Sequence, residues 1–242
     1  MRDDRPVIRF TLPDTLAREL CERLATPLPS TWAEVGALYR RWCAEIPFDT
    51  IAKCDALRRG EVPPGADAVE VVERWMATGV GSACWGHCTA FAGVLGAVGI
   101  DSHVAIDRAV RTDGVIDFHS FVIVEDSMRD WVFDHVHATD GPVRFLAGGE
   151  GRHGPYAAGF RMDGDRLIHW FRHPERPDVD GRYVILSTDL EVDDVRAFCA
   201  ISRDFSGIPG RRLHARRFPE GELVNGHAVA DGSALELSLI HI

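Results

Sequence analysis

The spacing of the apolar residues changes near Gly99, and this change constrains the fold more than any other feature of the sequence. Before Gly99, apolar residues recur every three or four positions, as on one face of a helix. After it, short apolar segments that are typical of strands are separated by turn residues. The chain is therefore predicted to be α+β, with helices in its first part and strands after them.

Four helices are predicted before this change, and two of them have a marked end. Thr31 and Glu34 have the spacing of a capping box at a helix start, and Gly99 is a suitable C-cap. The fourth helix begins close to Cys84, which puts that thiol at or near a helix N-terminus. The predicted helices cover residues 14–25, 31–44, 67–77 and about 84–99.

Seven strands are predicted after Gly99, with Gly-containing turn signals that suggest hairpins. The strands cover 103–106, 118–124, 131–136, 166–170, 183–187, 213–218 and 222–229, and the turn signals lie at 113–114, 163–164, 209–210 and 220–221. We predict a helical N-terminal subdomain over 1–80, a cysteine-bearing helix packed on an antiparallel sheet or barrel over 81–145, and a C-terminal β/α region over 146–236.

The last six residues, 237–242, have the sequence that a common transposon-derived sequencing adaptor encodes. We therefore expect this tail to be foreign and the gene to be truncated. A segment that closes over the functional site would then be missing.

Charge and composition exclude several classes of protein. A net charge of −10 and a pI near 5.5 argue against a nucleic-acid surface, which needs clustered Lys and Arg. No apolar run approaches the roughly 18 residues of a membrane span, and the charged N-terminus does not resemble a signal peptide. The expected compartment is the cytoplasm, where the six cysteines would be free thiols. The oligomeric state is not predicted.

Three residues have the order and setting of a nucleophilic triad. A thiol is activated at a helix N-terminus or beside an imidazolium, and Cys84 meets the first condition by prediction. His119 opens a strongly apolar predicted strand, and Asp134 follows the apolar run of the next one. If the two strands are antiparallel neighbours, the aspartate can accept the second ring N–H of the histidine and fix its tautomer.

The same residues resemble a known family. Gly81-Ser82-Ala83-Cys84-Trp85, followed by Gly99-Ile100, is similar to the nucleophile helix of the arylamine N-acetyltransferases. Cys84 and Gly99 are 15 positions apart, as are His119 and Asp134, and both spacings resemble those of the family. The similarity covers nearly the whole chain, and its other parts are Ile46-Pro47-Phe48-Asp49, Asp189 to Asp193, Ser202 and the hairpin from Leu213 to Val229.

The resemblance implies a ping-pong acyltransferase. Cys84 would attack an acyl thioester with His119 as general base and Asp134 as its partner, and a small-molecule amine would then take the acyl group. Acetyl-coenzyme A would be the donor substrate rather than a bound cofactor. Three aromatic residues are predicted to bind substrate, and no metal, nucleic acid or membrane is expected to take part. These aromatic residues are Phe48, Trp85 and Phe121.

The sequence departs from the family around the predicted site. Val80-Gly81-Ser82 stands in place of its Arg-Gly-Gly, and Gly86 and Cys88 stand in place of its Glu and Asn. His135-Val136-His137-Ala138 replaces the glycine-rich segment that the family associates with coenzyme A. The identity of the acyl donor is therefore open.

Three other interpretations stay open. A transglutaminase-like or papain-like amidase or crosslinking enzyme uses the same triad on a cysteine proteinase-like core, although that core does not require the helical segment that contains Ile46-Pro47-Phe48. A relative that has lost catalysis could bind a ligand or partner. A metal protein is the third possibility, with ligands from Cys84, His87, Cys88, His119, His135 and His137.

Overall fold

A computed structural model describes most of the chain, including every predicted site residue. The described residues are 10–110, 118–126, 129–137, 140–153, 156–172, 180–205, 212–217, 224–230 and 235–241. The helices are α1 (Asp14–Arg23), α2 (Trp32–Glu45), α3 (Ile51–Arg58), α4 (Ala68–Thr78), α5 (Cys84–Ala97) and α6 (Val192–Phe205). None of them is long and apolar enough to cross a membrane, within these described ranges.

All four predicted helices are present, and their ends follow the predicted signals. Thr31 caps α2 by accepting a hydrogen bond from the Glu34 N–H, and Glu34 caps the Thr31 N–H in return. Gly99 has φ +74° just after α5, a conformation that glycine adopts without strain. Helices α3 and α6 were not predicted. For α3 the reason is that it lies in a polar stretch and has only a weak apolar stripe.

Eight strands form one antiparallel sheet in the order β5-β4-β3-β2-β9-β8-β7-β6. The edges of the sheet approach each other, because the Asp140 N–H donates to Arg152 O and the Gly148 N–H to Phe160 O, both at 2.8 Å. The sheet is therefore a nearly closed barrel. Its strands are β2 (Ser102–Ala109), β3 (Phe118–Asp126), β4 (Arg129–Phe133), β5 (Val143–Arg144), β6 (Glu150–His153), β7 (Tyr156–Asp163), β8 (Arg166–Arg172) and β9 (Asp180–Ser187).

A second sheet has the order β1-β10-β11-β12, all antiparallel. It consists of β1 (Phe48–Asp49), β10 (Arg212–Arg217), β11 (Val224–Ala230) and β12 (Leu235–His241). Residues 237–241 of the tail lie in β12, and their foreign origin stays a prediction. The turn signals at 113–114, 209–210 and 220–221 lie outside the described residues. The division of the chain into three regions also stays a prediction.

Two apolar cores lie on opposite faces of the central strands. Val122 and Val124 of β3 belong to a large core with the helices, whereas Phe121 and Ile123 belong to a smaller core with Phe160 of β7. This alternation is the period of two that a strand imposes. Helix α5 contacts β2 and β3, and this contact places its N-terminus near the first residues of β3.

Candidate active site

Cys84 is the first residue of α5, as the sequence predicted. Its side chain is largely buried, and no side chain caps the N-terminus of the helix. The peptide dipoles and the first N–H groups of a helix favour negative charge at this end. The position is therefore suited to a thiolate or to an oxyanion formed beside it.

The segment before Cys84 is held against β1 by backbone contacts. The Asp49 N–H donates to Ser82 O at 2.9 Å, and the buried carboxylate of Asp49 accepts a bond from the Gly81 N–H at 2.7 Å. A Cβ at Gly81 would lie 1.7 Å from Pro47 O, so only glycine allows this approach. The Pro47-Phe48-Asp49 segment therefore positions the residues directly before Cys84.

His119 and Asp134 form a buried pair next to Cys84. His119 Nε2 lies 3.0 Å from Asp134 Oδ2, and the Cys84 side chain is a further hydrogen-bond partner of His119. Burial by itself lowers the pKa of His119, but the charges of Asp134 and Asp107 and the two hydrogen bonds raise that pKa well above its ordinary value. The three predicted residues therefore meet in the order thiol, imidazole, carboxylate.

Asp134 is held by several donors in the turn that follows β4. Its Oδ1 accepts bonds from the N–H groups of Val136 at 2.9 Å and His137 at 3.0 Å, and the His137 ring nitrogen Nδ1 lies 3.0 Å from Oδ2. Burial raises the pKa of Asp134, but His119 and His137 lower it well below its ordinary range. The strand predicted over 131–136 ends at Phe133 instead, because the Asp134 side chain takes the place of a strand partner for these N–H groups.

A second acid–imidazole pair, which was not predicted from the sequence, lies behind the first. Asp107 Oδ2 is 2.8 Å from His169 Nδ1, and His169 Nε2 is 3.6 Å from Asp134 Oδ2. Both side chains are almost completely buried. In the sequence, Asp107 directly follows the predicted strand 103–106 and His169 lies inside the predicted strand 166–170, and neither position indicates that the two residues meet.

The other histidines in this region have different surroundings. His87 accepts a bond from Trp42 Nε1–H at 2.8 Å and lies 3.1 Å from Pro47 O through Nε2, so it links two helices to the β1 segment. Burial lowers the pKa of His87 to about 4. His135 stacks on His87, and burial lowers its pKa well below the ordinary value. Both are therefore neutral members of the core.

The aromatic residues predicted to bind substrate occupy three different places. Phe48 is half-buried and stacks on His87, and the buried ring of Trp85 stacks on Phe198 of α6 with centroids 5.5 Å apart. Phe121 is fully buried in the smaller core, with its ring centroid 6.3 Å from that of His119. Their contact with substrate stays a prediction.

The six cysteine and histidine residues proposed as metal ligands do not converge on one point. In the described part of the chain, two groups have metal-like spacing, His119-Asp134-His169 and Asp101-His103-Glu125. In the first group, His119 and Asp134 are hydrogen-bonded to each other. The imidazole of His119 and the carboxylate of Asp134 are therefore direct hydrogen-bond partners.

The fold is that of solved arylamine N-acetyltransferases. The enzyme from Mycobacterium marinum in complex with CoA has a TM-score of 0.72 at 16% identity, with 91% of this chain and 85% of that chain covered. The enzyme from Salmonella typhimurium has a TM-score of 0.70 at 15% identity, with coverage of 94% and 85%. An enzyme from Bacillus cereus, described as having a unique Cys-His-Glu catalytic triad, has a TM-score of 0.71 at 12% identity, with coverage of 93% and 92%.

No protein-family model and no curated protein sequence matches this chain. The structural likeness confirms the predicted α+β fold and the predicted resemblance at the level of the fold.

Proposed function

We propose that the protein is an N-acyltransferase that moves an acetyl or other acyl group from coenzyme A to an arylamine-type acceptor through a thioester on Cys84. The observation that supports it best is the contact chain from Cys84 to His119 to Asp134 at the N-terminus of α5. The fold supports it as well, since the proteins of similar fold are arylamine N-acetyltransferases and one was solved with CoA.

In the first half-reaction the Cys84 sulfur attacks the thioester carbonyl. The thiol proton moves to His119, and the imidazolium is stabilised by the carboxylate of Asp134. The oxyanion develops beside the N-terminus of α5, where backbone N–H groups can donate to it. Collapse of this intermediate breaks the bond to the coenzyme A sulfur, which takes the proton from His119 and leaves.

In the second half-reaction an amine attacks the Cys84 thioester. His119 accepts a proton from the amine nitrogen, the carbon–sulfur bond breaks, and the amide leaves with Cys84 restored as a thiol. Phe48 and Trp85 are the predicted aromatic contacts of the acceptor, with Phe121 behind His119. A cytoplasmic location would give access to both substrates and stays a prediction.

The test is to follow the acyl group on the protein by intact mass spectrometry. Acetyl-coenzyme A without an amine should add one acetyl group per chain and release one coenzyme A. Peptide mapping should place the acetyl group on Cys84. Adding an aniline should then remove it and yield the acetanilide, as ping-pong kinetics require.

The matched variants are Cys84→Ala and Cys88→Ala, which remove thiols one turn apart on α5. Both side chains are buried, so a general loss of stability would affect both variants. Loss of acetylation in Cys84→Ala alone agrees with the proposal. Acetylation that persists in Cys84→Ala would refute it.

Amide hydrolysis by the same triad is the second candidate. The turn after Asp134 favours it, because the family that the sequence resembles has there the glycine-rich segment associated with coenzyme A. In this chain the same turn instead holds the Asp134 carboxylate through the N–H groups of Val136 and His137. Selective alkylation of Cys84 without protection by acetyl-coenzyme A, together with release of product from a peptide amide, would support hydrolysis instead.

A further inference from the structure

Two buried acid–imidazole pairs lie side by side in the active site, and the proposed mechanism uses only one of them. Asp134 and His119 form the first pair at 3.0 Å, and Asp107 and His169 form the second at 2.8 Å. His169 Nε2 lies 3.6 Å from the same Oδ2 atom of Asp134 that faces His119. The ring of His169 therefore connects the second pair to the Asp134 carboxylate of the first pair.

The barrel brings these residues together from three strands. Asp107 of β2 lies directly opposite His119 of β3, which puts both side chains on one face of the sheet. His169 comes from β8, which is separated from β2 by β9. The pairing of β2 with β9 shifts register between Ile106 and Asp107, and such a bulge redirects a side chain next to a functional site.

The two contacts of His169 fix its ring in one orientation. The Nδ1–H can donate to Asp107 Oδ2, and the rigid ring then directs Nε2 toward Asp134. A buried carboxylate needs a positive or hydrogen-bonding partner. The ring of His169 therefore lies between the two carboxylates, and His119 approaches Asp134 Oδ2 with its own Nε2 at 3.0 Å.

We propose that Asp107 and His169 are positioning residues for the catalytic triad: Asp107 orients the ring of His169, and the Nε2 edge of that ring holds the Asp134 carboxylate where it accepts the hydrogen bond from His119. This role rests on the proposed function of Cys84. It concerns the geometry of the triad, because His169 approaches Asp134 and Asp107 lies opposite His119.

Two substitutions of His169 separate its two contacts. His169→Asn retains an amide near the Nδ1 position and can still bond to Asp107. His169→Gln retains a nitrogen donor near the Nε2 position and can still face Asp134. We expect His169→Gln to keep most of kcat/KM and His169→Asn to lose up to about 100-fold, since a displacement of about 1 Å can cost that much. The loss should be in kcat, with the KM for acetyl-coenzyme A unchanged.

A pH profile distinguishes positioning from a structural role. Iodoacetamide labelling of Cys84 would be followed against pH in the wild type and in Asp107→Asn. His119 faces Cys84 of α5, Asp107 of β2, Asp134 and His137 after β4, His169 of β8 and Tyr183 of β9. Asp107→Asn removes one charge that raises the pKa of His119, so the upper inflection should move to lower pH.

His103→Gln is the matched control. His103 lies on β2 with Asp107 and contacts the carboxylates of Asp189 and Glu125 at 2.9 and 3.3 Å, but it is not part of the site. This variant should leave kcat/KM and the labelling profile unchanged. Urea unfolding measures the stability of every variant. If a His169 variant does not fold, the isosteric Asp107→Asn tests the same contacts among Asp107, His169 and Asp134.

The outcomes separate this proposal from the proposed function. A wild type without selective Cys84 labelling and without acetylation would overturn the function and, with it, the positioning role. A reactive wild type whose Asp107 and His169 variants match it in kcat/KM and in pH profile would overturn the positioning role alone. Wild-type rates in His169→Asn with loss in His169→Gln would also overturn it, since the ring would then serve only to pair Asp107.

Discussion

Acid should destabilise the protein through His87, which is buried and neutral in the folded state. The pKa of His87 is about 4 when folded, against an ordinary value of about 6.5 when unfolded. The unfolded chain therefore binds the proton more tightly. The stabilisation is complete above about pH 6.5, decreases as the pH falls, and is exhausted near about pH 4.

The two pKa values give the size of the effect. Between about pH 7.5 and about pH 5, the His87 contribution to the free energy of unfolding should fall by about 2 kcal/mol. His87→Asn retains an acceptor for Trp42 Nε1–H but does not titrate. Urea unfolding of both proteins at the two pH values measures the difference.

The result that would refute this reasoning is an equal pH dependence in the wild type and in His87→Asn. The variant should still lose some stability in acid, because burial lowers the pKa of His137 to about 3 and also lowers that of His135. Only the difference between the two proteins belongs to His87. A difference of the opposite sign would mean that His87 is charged in the folded state.

Three further predictions concern the proposed triad and its support. Asp134→Asn should lower kcat/KM by up to about 10⁴-fold without loss of far-UV circular dichroism, as substitution of a triad aspartate does. Tyr39→Phe removes the 2.6 Å bond to Asp134 O and should cost about 1–3 kcal/mol in urea unfolding. Gly81→Ala should destabilise the fold and abolish acetylation because of the clash with Pro47, whereas Gly141→Ala, with no atom near its added Cβ, should do neither in the same two assays.

The sequence was sufficient for the parts of the fold that depend on local spacing. The capping box at Thr31 and the glycine at 99 mark helix ends that the structure confirms. Cys84 could be placed at a helix start because the apolar stripe of α5 begins directly after it. His119 could be placed on one strand and Asp134 at the end of its neighbour because the connection between β3 and β4 is short.

The missed parts depend on contacts between distant segments. The spacing of Asp107 and His169, 62 positions apart, carries no local signal. Their meeting requires the β2–β9 pairing, the register shift beside Asp107 and the curvature of the sheet. None of these can be read from apolar alternation, which predicts only the face on which a residue lies. Helix α3 was missed because it lies in a polar stretch with a weak apolar stripe.

The histidines of the turn after Asp134 have a physical explanation, although the family that the sequence resembles has a glycine-rich segment there. His137 supplies Asp134 with a backbone N–H and a ring nitrogen, and its ring stacks on Phe171 with centroids 4.0 Å apart. His135 fills the core beside Trp42 and Phe91. This turn is therefore built around the carboxylate, and a glycine-rich turn would provide neither ring. The histidines of this turn therefore determine how Asp134 is held beside His119.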